Sequence, residues 1–467
     1  MQDITHLFEI DEKKYVYDYR NIFFSLVDNN VYSIMKKSKD GEADLDFSEN
    51  PVWGLLIKSG YFKTNEAELS PQRFAFHANS TMNISFAPVH DCNFACTYCY
   101  ASGGQSTKNY EQSFTKEKID RLLDYIYIEK YPYYQNYQFD FVSGGEPLLN
   151  MGLLEYFLHQ VRLRDDANNK RTTVLIVTNG TLLTVENINT LDTYDVFLGI
   201  SIDGPEKVHN RYRVYRDGSG TYQDVAKGIL RLKSSNASSK LKEAWAMSVI
   251  TKETSSLVET MENAISLGFV RMQMQLMREK PSSMIAFKPS DLTKTQEKYL
   301  ELFDHILQFV KIGDLSRLKM IANNNDSFGK FLGRLLLKRT VAYRCSAGKN
   351  KISITASGEV YPCDSFCNIA EFEIDNLHQS SITTIGQEFL DAHVQNRTPC
   401  STCWAKRLCG GDCFYSSYMM YGDIYKPNPF ACAMNRFFIE RAIDMLMQIQ
   451  RIDANHIAYM AKFLRLR

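Results

Sequence analysis

Hydrophobic and polar positions change their period several times along this chain of 467 residues. In residues 1 to about 80 the runs KKYVYDY, NIFFSLV and NNVYSIMKK read as β-rich, broken by a turn signal at Asn29 and Asn30. SENPVWGLLIKSGYF then reads as a helix, because Ser48 or Asn50 can cap it and Pro51 suits a first-turn position. The pattern predicts a small β-then-α module, followed by a linker from Glu66 to Ser80.

From Thr81 short apolar strands alternate with amphipathic helices, the form of repeated βα units. The strands are MNISFAP, YQFDFVSG, TVLIVTNG, VFLGISIDG, AWAMSVI and RMQMQLM, with helices such as TKEKIDRLLDYIYIEKY and SSLVETMENAISLG between them. Six such units predict an α/β fold built on a partial parallel barrel. In that architecture reactive residues sit on loops after the C-terminal ends of strands. Residues 291–340 read as helical and Lys/Leu-rich, with no chemistry. The final stretch MNRFFIERAIDMLMQIQRIDANHIAYMAKFLRL reads as a packing helix or helix pair. The expected domains are 1–80, 81–290, a helical linker 291–340, a cysteine-rich domain 341–435 and a terminal helix 436–467.

Composition narrows the partners. Lys plus Arg equals Asp plus Glu at 54 each, so no global field favours a phosphate backbone or an anionic membrane, and neither nucleic acid nor membrane is an expected partner. The N-terminus lacks the layout of a signal peptide, and no apolar stretch is long enough to span a bilayer, so the cytoplasm is the expected location. Thiols stay reduced there, and clustered ones are more often metal ligands than disulfides. Of 11 cysteines, three lie in DCNFACTYCY, none lies between Cys99 and Cys345, and eight fall from Cys345 to Cys432. Two separate metal-binding regions are expected.

Cys92, Cys96 and Cys99 stand at Cx3Cx2C directly after the first barrel strand. Three thiolates can hold one 4Fe-4S cube and leave its fourth iron without a protein ligand; a structural zinc site is the plainer alternative. The motif resembles that of the radical S-adenosylmethionine (SAM) superfamily, with Tyr98 at its aromatic position. That resemblance implies that the open iron chelates the amino and carboxylate groups of SAM, and that one electron cleaves SAM to a 5′-deoxyadenosyl radical. The cofactor carries the radical chemistry and the protein orients it.

Further motifs follow the next strands. Gly144, Gly145, Glu146 and Pro147 match the family's GGEP loop, which implies that backbone and carboxylate receive the SAM ammonium. Thr178 and Asn179 of TNG resemble its polar loop near SAM. SIDGPEKVHNRYR resembles the segment that reaches SAM through Ser201, Asp203 and an arginine, placed at Arg213 with Arg211 and Arg216 as competitors. His209 reads as a structural polar residue.

Cys345, Gly358 and Cys363, then Cys400, Cys403, Cys409 and Cys413 at Cx2Cx5Cx3C, then Cys432, resemble the SPASM domain pattern. A zinc ribbon would explain the Cx2C pair alone. The resemblance implies two auxiliary 4Fe-4S clusters, three clusters in all. Cys400, Cys403, Cys409 and Cys432 would hold one; Cys345, Cys363 and Cys413 would hold the other. Cys367 either completes the latter or remains an unligated thiol.

The double signature resembles enzymes that modify peptides. Thioether-forming maturases of sactipeptide and ranthipeptide type join cysteine sulfur to carbon, whereas anaerobic sulfatase-maturing enzymes oxidise Cys or Ser to formylglycine. The extra module ahead of Cys92 resembles a winged-helix-like element that pairs a strand with the leader of a ribosomally synthesised precursor peptide, and it favours the maturases; a capping extension is the alternative. A ferredoxin or flavodoxin is the expected reductant. Asp364, directly after Cys363, is a candidate base for the substrate side chain, or a hydrogen-bonding group beside the cluster. An iron-sulfur electron carrier would account for the cysteines, but not for GGEP or the Ser-x-Asp-Gly segment.

Overall fold

The computed structural model describes residues 5–39, 54, 56, 58, 80–89, 91–99, 113–142, 144–367, 369–379 and 385–465. They fall into two compact units. One comprises residues 1–74, 288–344 and 392–467; the other comprises 75–287 and 345–391.

The first unit opens with an antiparallel sheet of β1 (Thr5–Ile10), β2 (Lys13–Asp18) and β3 (Phe23–Val27), in that order. The sequence pattern did not single out β1. NNVYSIMKK, read above as β-rich, is instead part of the helix Asn29–Lys39. The reason is local: Asp28 Oδ1 accepts the Val31 N–H at 2.8 Å and starts the helix. Val31 and Met35, one turn apart, then pack with Val16, Val27 and Leu56. In SENPVWGLLIKSGYF only Gly54, Leu56 and Lys58 are described, and all three are helical; the rest of that stretch and most of the expected linker lie outside the described residues.

The same unit contains the helices Leu292–Lys311, Gly329–Leu336, Pro429–Ile452 and Ala454–Arg465. Tyr299 meets Phe438 edge-on at 4.6 Å and Phe303 lies 4.2 Å from Phe328, so aromatic faces fill the core between them. The N-terminal sheet is tied to the long helix by polar contacts: the Tyr15 hydroxyl donates to Asp444 at 2.6 Å, and His6 Nε2 lies 2.8 Å from Glu440. The His6 ring also stacks on Trp404 at 3.6 Å.

The second unit is built on a nine-stranded sheet. β4 (Thr81–Phe86), β5 (Asn136–Phe141), β6 (Arg171–Thr178), β7 (Phe197–Ser201), β8 (Trp245–Ile250) and β9 (Met272–Leu276) run parallel and adjacent in chain order. These are the six predicted strands. Beyond β4 the sheet continues with β10 (Lys351–Ile354), parallel to it, then β11 (Glu359–Tyr361) and β12 (Asp375–Asn376), both antiparallel.

Period-two alternation divides this sheet into two faces. Phe86, Phe139 and Phe141 pack on Phe157 of the helix Met151–Asn168, at ring distances of 5.0 to 5.2 Å. The other face carries a polar row in register: Lys351 opposite Asn83 and Ser353 opposite Ser85, then Asn83 opposite Gln138 and Ser85 opposite Asp140. Among the described residues no helix is long and apolar enough to cross a membrane.

Candidate functional site

The three-cysteine loop leaves β4 and is fastened to the loops after the next three strands. Gly145 N–H donates to the Val89 carbonyl at 3.0 Å, and Glu146 N–H to the Asp91 carbonyl at 2.8 Å. A Cβ on Gly145 would lie 1.8 Å from that Asp91 oxygen, so only glycine permits the approach. Gly144 has φ of 101°, the left-handed region. Asn93 accepts from Asn179 Nδ2 at 2.7 Å and donates to Thr181 at 3.0 Å. Ala95 and Thr97 donate to the carbonyls of Val214 and Tyr212, which lays the loop along the segment after β7.

Burial pushes the Cys92 thiol up to about 12 and the Cys96 thiol up to about 11, with Arg213 opposing the shift at Cys96. Each also feels the charge of Cys99. Thiols in this setting become thiolates only when cations replace their protons, which is the chemistry of a metal-cluster donor set. Among the described residues no three His, Cys, Asp or Glu side chains are disposed around a single metal ion. Three thiolates bound to separate irons of one cube need no such common centre, so the donor set is compatible with the cluster.

Glu146 is buried at the end of β5. Its Oε1 accepts from the Thr178 hydroxyl at 2.6 Å and the Leu148 N–H at 3.1 Å, and its Oε2 accepts from the Asn179 N–H at 2.7 Å. Burial raises its pKa, and these three donors oppose the shift. A carboxylate has about four acceptor positions, so one remains for a ligand ammonium. Pro147 begins the short turn Pro147–Asn150 that holds the carboxylate in place.

Asp203 is wholly engaged. It accepts from Tyr98 and from Arg213 Nε at 3.0 Å through Oδ2, and from Arg213 Nη2 at 3.3 Å and the Val249 N–H at 3.0 Å through Oδ1. Asp203 therefore anchors Tyr98 and Arg213, and the Arg213 guanidinium lies 5.4 Å over the Tyr98 ring. The competing arginines sit elsewhere: Arg211 pairs with Glu253 at the surface, and Arg216 with Asp91 and the Cys92 carbonyl. Ser201 is buried at the end of β7. His209 accepts the Asp203 N–H at Nδ1 and contacts Thr221 through Nε2, a structural polar residue.

In the same unit Asp364 follows Cys363 and pairs with Lys351 Nζ at 3.2 Å. Lys351, on the polar face of β10, is held strongly protonated by Asp364, Cys363 and Asp140. The Cys367 thiol donates to Ser353 Oγ at 3.2 Å, and burial pushes it up to about 12. Cys345 is exposed. Cys413 belongs to the other unit.

In that other unit Cys400, Cys403, Cys409 and Cys432 line one cavity of about 570 Å³. Burial raises the Cys400 and Cys432 thiols, and other cysteines of the set add to each shift. Four thiols around one cavity fit a cluster with a complete cysteine shell. The left-handed turn Gly410–Gly411 after Cys409 is closed over the buried Arg397, which donates to the Asp412 carbonyl and the Ser417 hydroxyl, both at 2.7 Å. Sequence reading missed Arg397, Lys351 and Asn93, whose partners lie far away in the chain; the polar Asn93 between the first two cysteines was the one local hint.

Comparison with known proteins agrees with this geometry. Residues 87–262 match the radical SAM superfamily, and residues 345–404 match SPASM, an iron-sulfur cluster-binding domain. The chain carries both domains. It is 25% identical to the radical SAM cyclopropyl synthase TigE of Paramaledivibacter caminithermalis, over 91% of this chain and 92% of that protein. It is 23% identical to a cysteine-type anaerobic sulfatase-maturating enzyme of Clostridium perfringens, over 69% and 85%. It is also 23% identical to the antilisterial bacteriocin subtilosin biosynthesis protein AlbA of Bacillus subtilis, over 65% and 59%. Among solved structures, native anSMEcpe with bound AdoMet and Cp18Cys peptide has the same fold, with a TM-score of 0.65 at 21% identity, over 80% of this chain and all of that one.

Proposed function

We propose that this chain is a radical SAM peptide maturase that installs thioether crosslinks, cysteine sulfur to carbon, in a ribosomally synthesised precursor peptide. The observation that carries the reading is the N-terminal sheet. It is a small three-stranded antiparallel sheet ahead of the parallel sheet, the kind of element to which an extended leader adds as a further strand through main-chain hydrogen bonds. The match to TigE runs over 91% of the chain, against 69% for the sulfatase-maturating enzyme, which favours a maturase.

Cys92, Cys96 and Cys99 would hold the SAM-binding cluster. Cys400, Cys403, Cys409 and Cys432 would hold one auxiliary cluster, and Cys345 and Cys363 would be ligands of the other. When bound, the three clusters and SAM supply one-electron chemistry and hydrogen abstraction. The chain's own residues bind and orient. Glu146 offers its remaining acceptor position to the SAM ammonium, and the backbone of Gly144 and Gly145 allows close approach. Thr178, Asn179, Ser201 and Pro147 shape that site, and Arg213, fixed by Asp203 and Tyr98, presents its remaining N–H groups. A crosslink removes two hydrogens from the peptide, a hydrogen atom from carbon and a proton with one electron from the thiol; the deoxyadenosyl radical would take the atom and an auxiliary cluster the electron. Asp364, paired with Lys351, is the group that takes the proton. Electrons would come from a ferredoxin or flavodoxin in the cytoplasm.

The TigE likeness favours one second reading, closure of a cyclopropyl ring on the peptide. Mass spectrometry after anaerobic reaction with SAM, dithionite and a cysteine-rich precursor encoded beside the gene separates the readings. Thioether formation predicts loss of two hydrogens per link, with the affected cysteine no longer alkylatable. The same mass loss with every cysteine alkylatable sinks the thioether in favour of the ring. Conversion of cysteine to formylglycine in a sulfatase-derived peptide moves the assignment to sulfatase maturation.

A further inference from the structure

The helix Gly329–Leu336 carries Lys330 and Arg334 one turn apart on the same face. Lys330 is 2% exposed, and its Nζ lies 4.7 Å over the Phe331 ring. Among the described residues no ion pair joins it to a carboxylate. Arg334 donates to the Leu408 carbonyl and, at 3.5 Å, to the Cys409 carbonyl. Arg344 reaches the same turn along the backbone. Val341 N–H donates to the Arg407 carbonyl at 2.8 Å, and a Cβ on Gly410 would lie 2.9 Å from Arg344 N.

Basic residues thus converge on the one turn that carries Cys409. Burial pushes the Lys330 pKa well down, Arg344 and Arg334 add to that shift, and Cys409 and Asp326 oppose it. Asp326 Oδ1 also accepts the N–H groups of Phe328 and Gly329 at the helix start. A buried cation beside two others is unfavourable unless a larger negative charge stands nearby. A cube with four thiolate ligands carries about two negative charges, and Cys409 lines the cavity that fits one.

We propose that Lys330, flanked by Arg334 and Arg344, is the built-in counter-charge of the iron-sulfur cluster held at Cys409 and raises its reduction potential, an inference that rests on the auxiliary-cluster reading of the four-cysteine cavity. Positive charge near a cluster favours its reduced, more negative form. Lys330 is then a positioning residue for electron flow, because it acts through the cluster and touches no reacting atom.

The test is a potentiometric titration of the full-length reconstituted protein followed by electron paramagnetic resonance. The signal that a Cys432→Ser variant loses identifies the cluster. Lys330→Met is expected to shift its oxidised-to-reduced ratio at least tenfold toward oxidised, about 59 mV lower for one electron. Lys330→Arg keeps the charge and is expected to stay within about threefold of wild type. If Lys330→Met fails to retain the cluster while Lys330→Arg retains it, the need for the charge is supported directly. If both lose it, Arg334→Gln reads the same field and is expected to shift the ratio several-fold in the same direction. An unchanged potential in Lys330→Met with iron retained, or in Arg334→Gln when that variant is the one read, overturns the proposal and leaves the cluster assignment standing. A Cys432→Ser variant that loses no signal overturns both.

Discussion

The guanidinium of Arg213 meets the carboxylate of Asp203 at two points, 3.0 and 3.3 Å, with the side chains 10% and 4% exposed. Removing one partner of such a pair leaves an uncompensated buried charge, which costs about 3–5 kcal/mol. Arg213→Met is expected to lower stability by that order in urea denaturation and to weaken SAM binding. Adding Asp203→Asn is expected to cost less than the sum of the single losses, because the stranded charge is gone. Strict additivity would show that the pair does not couple.

His209 sets a pH dependence. Burial holds its pKa down at about 4, against 6.5 for a free imidazole, with Asp203 opposing the shift and Arg213 adding to it. Between those two values the unfolded chain binds more protons than the folded one, so stability rises with pH across the window and falls as pH drops from 6.5 toward 4. The full effect is about 3 kcal/mol. Chemical denaturation of wild type against His209→Gln from pH 4 to 7 checks it: the variant is expected to lose this part of the slope, and an identical slope in both proteins refutes the assignment.

The triad at Cys92, Cys96 and Cys99 makes a prediction independent of the peptide. Cys96→Ala is expected to lose the iron of one cluster and all release of 5′-deoxyadenosine, while circular dichroism is unchanged. Cys432→Ala is expected to lose a cluster but keep SAM cleavage above background, since its set lies on a separate cavity. Full iron in either variant contradicts the ligand assignment.

Cys367 donates its thiol proton to Ser353, whose own hydroxyl donates to the Ser85 carbonyl at 3.1 Å. That contact seats the Cys367 sulfur on β10 with a partner that needs no metal. Cys367→Ala is therefore expected to leave iron content unchanged, whereas Cys363→Ala lowers it. Equal iron loss in the two variants would make Cys367 the completing ligand.

The chain's own pattern determined six parallel strands, the loops after them, and two cysteine groups whose spacing matches cluster binding. These are local properties: strand period and thiolate spacing are set within a few residues, and each βα repeat announces itself. Local pattern failed where a single cap mattered, as at Asp28, which turns NNVYSIMKK into a helix. Tertiary structure decided the rest. It paired Arg213 with the buried carboxylate of Asp203, and Arg211 and Arg216 with Glu253 and Asp91. It filled three of the acceptor positions of Glu146 from residues 148, 178 and 179, and bound Cys367 to Ser353. It also joined Arg334, one turn after Lys330 on the same helix, to the carbonyls of Leu408 and Cys409. Charge and hydrogen-bond partners of this kind are properties of burial and distance in space, and no period along the chain encodes them.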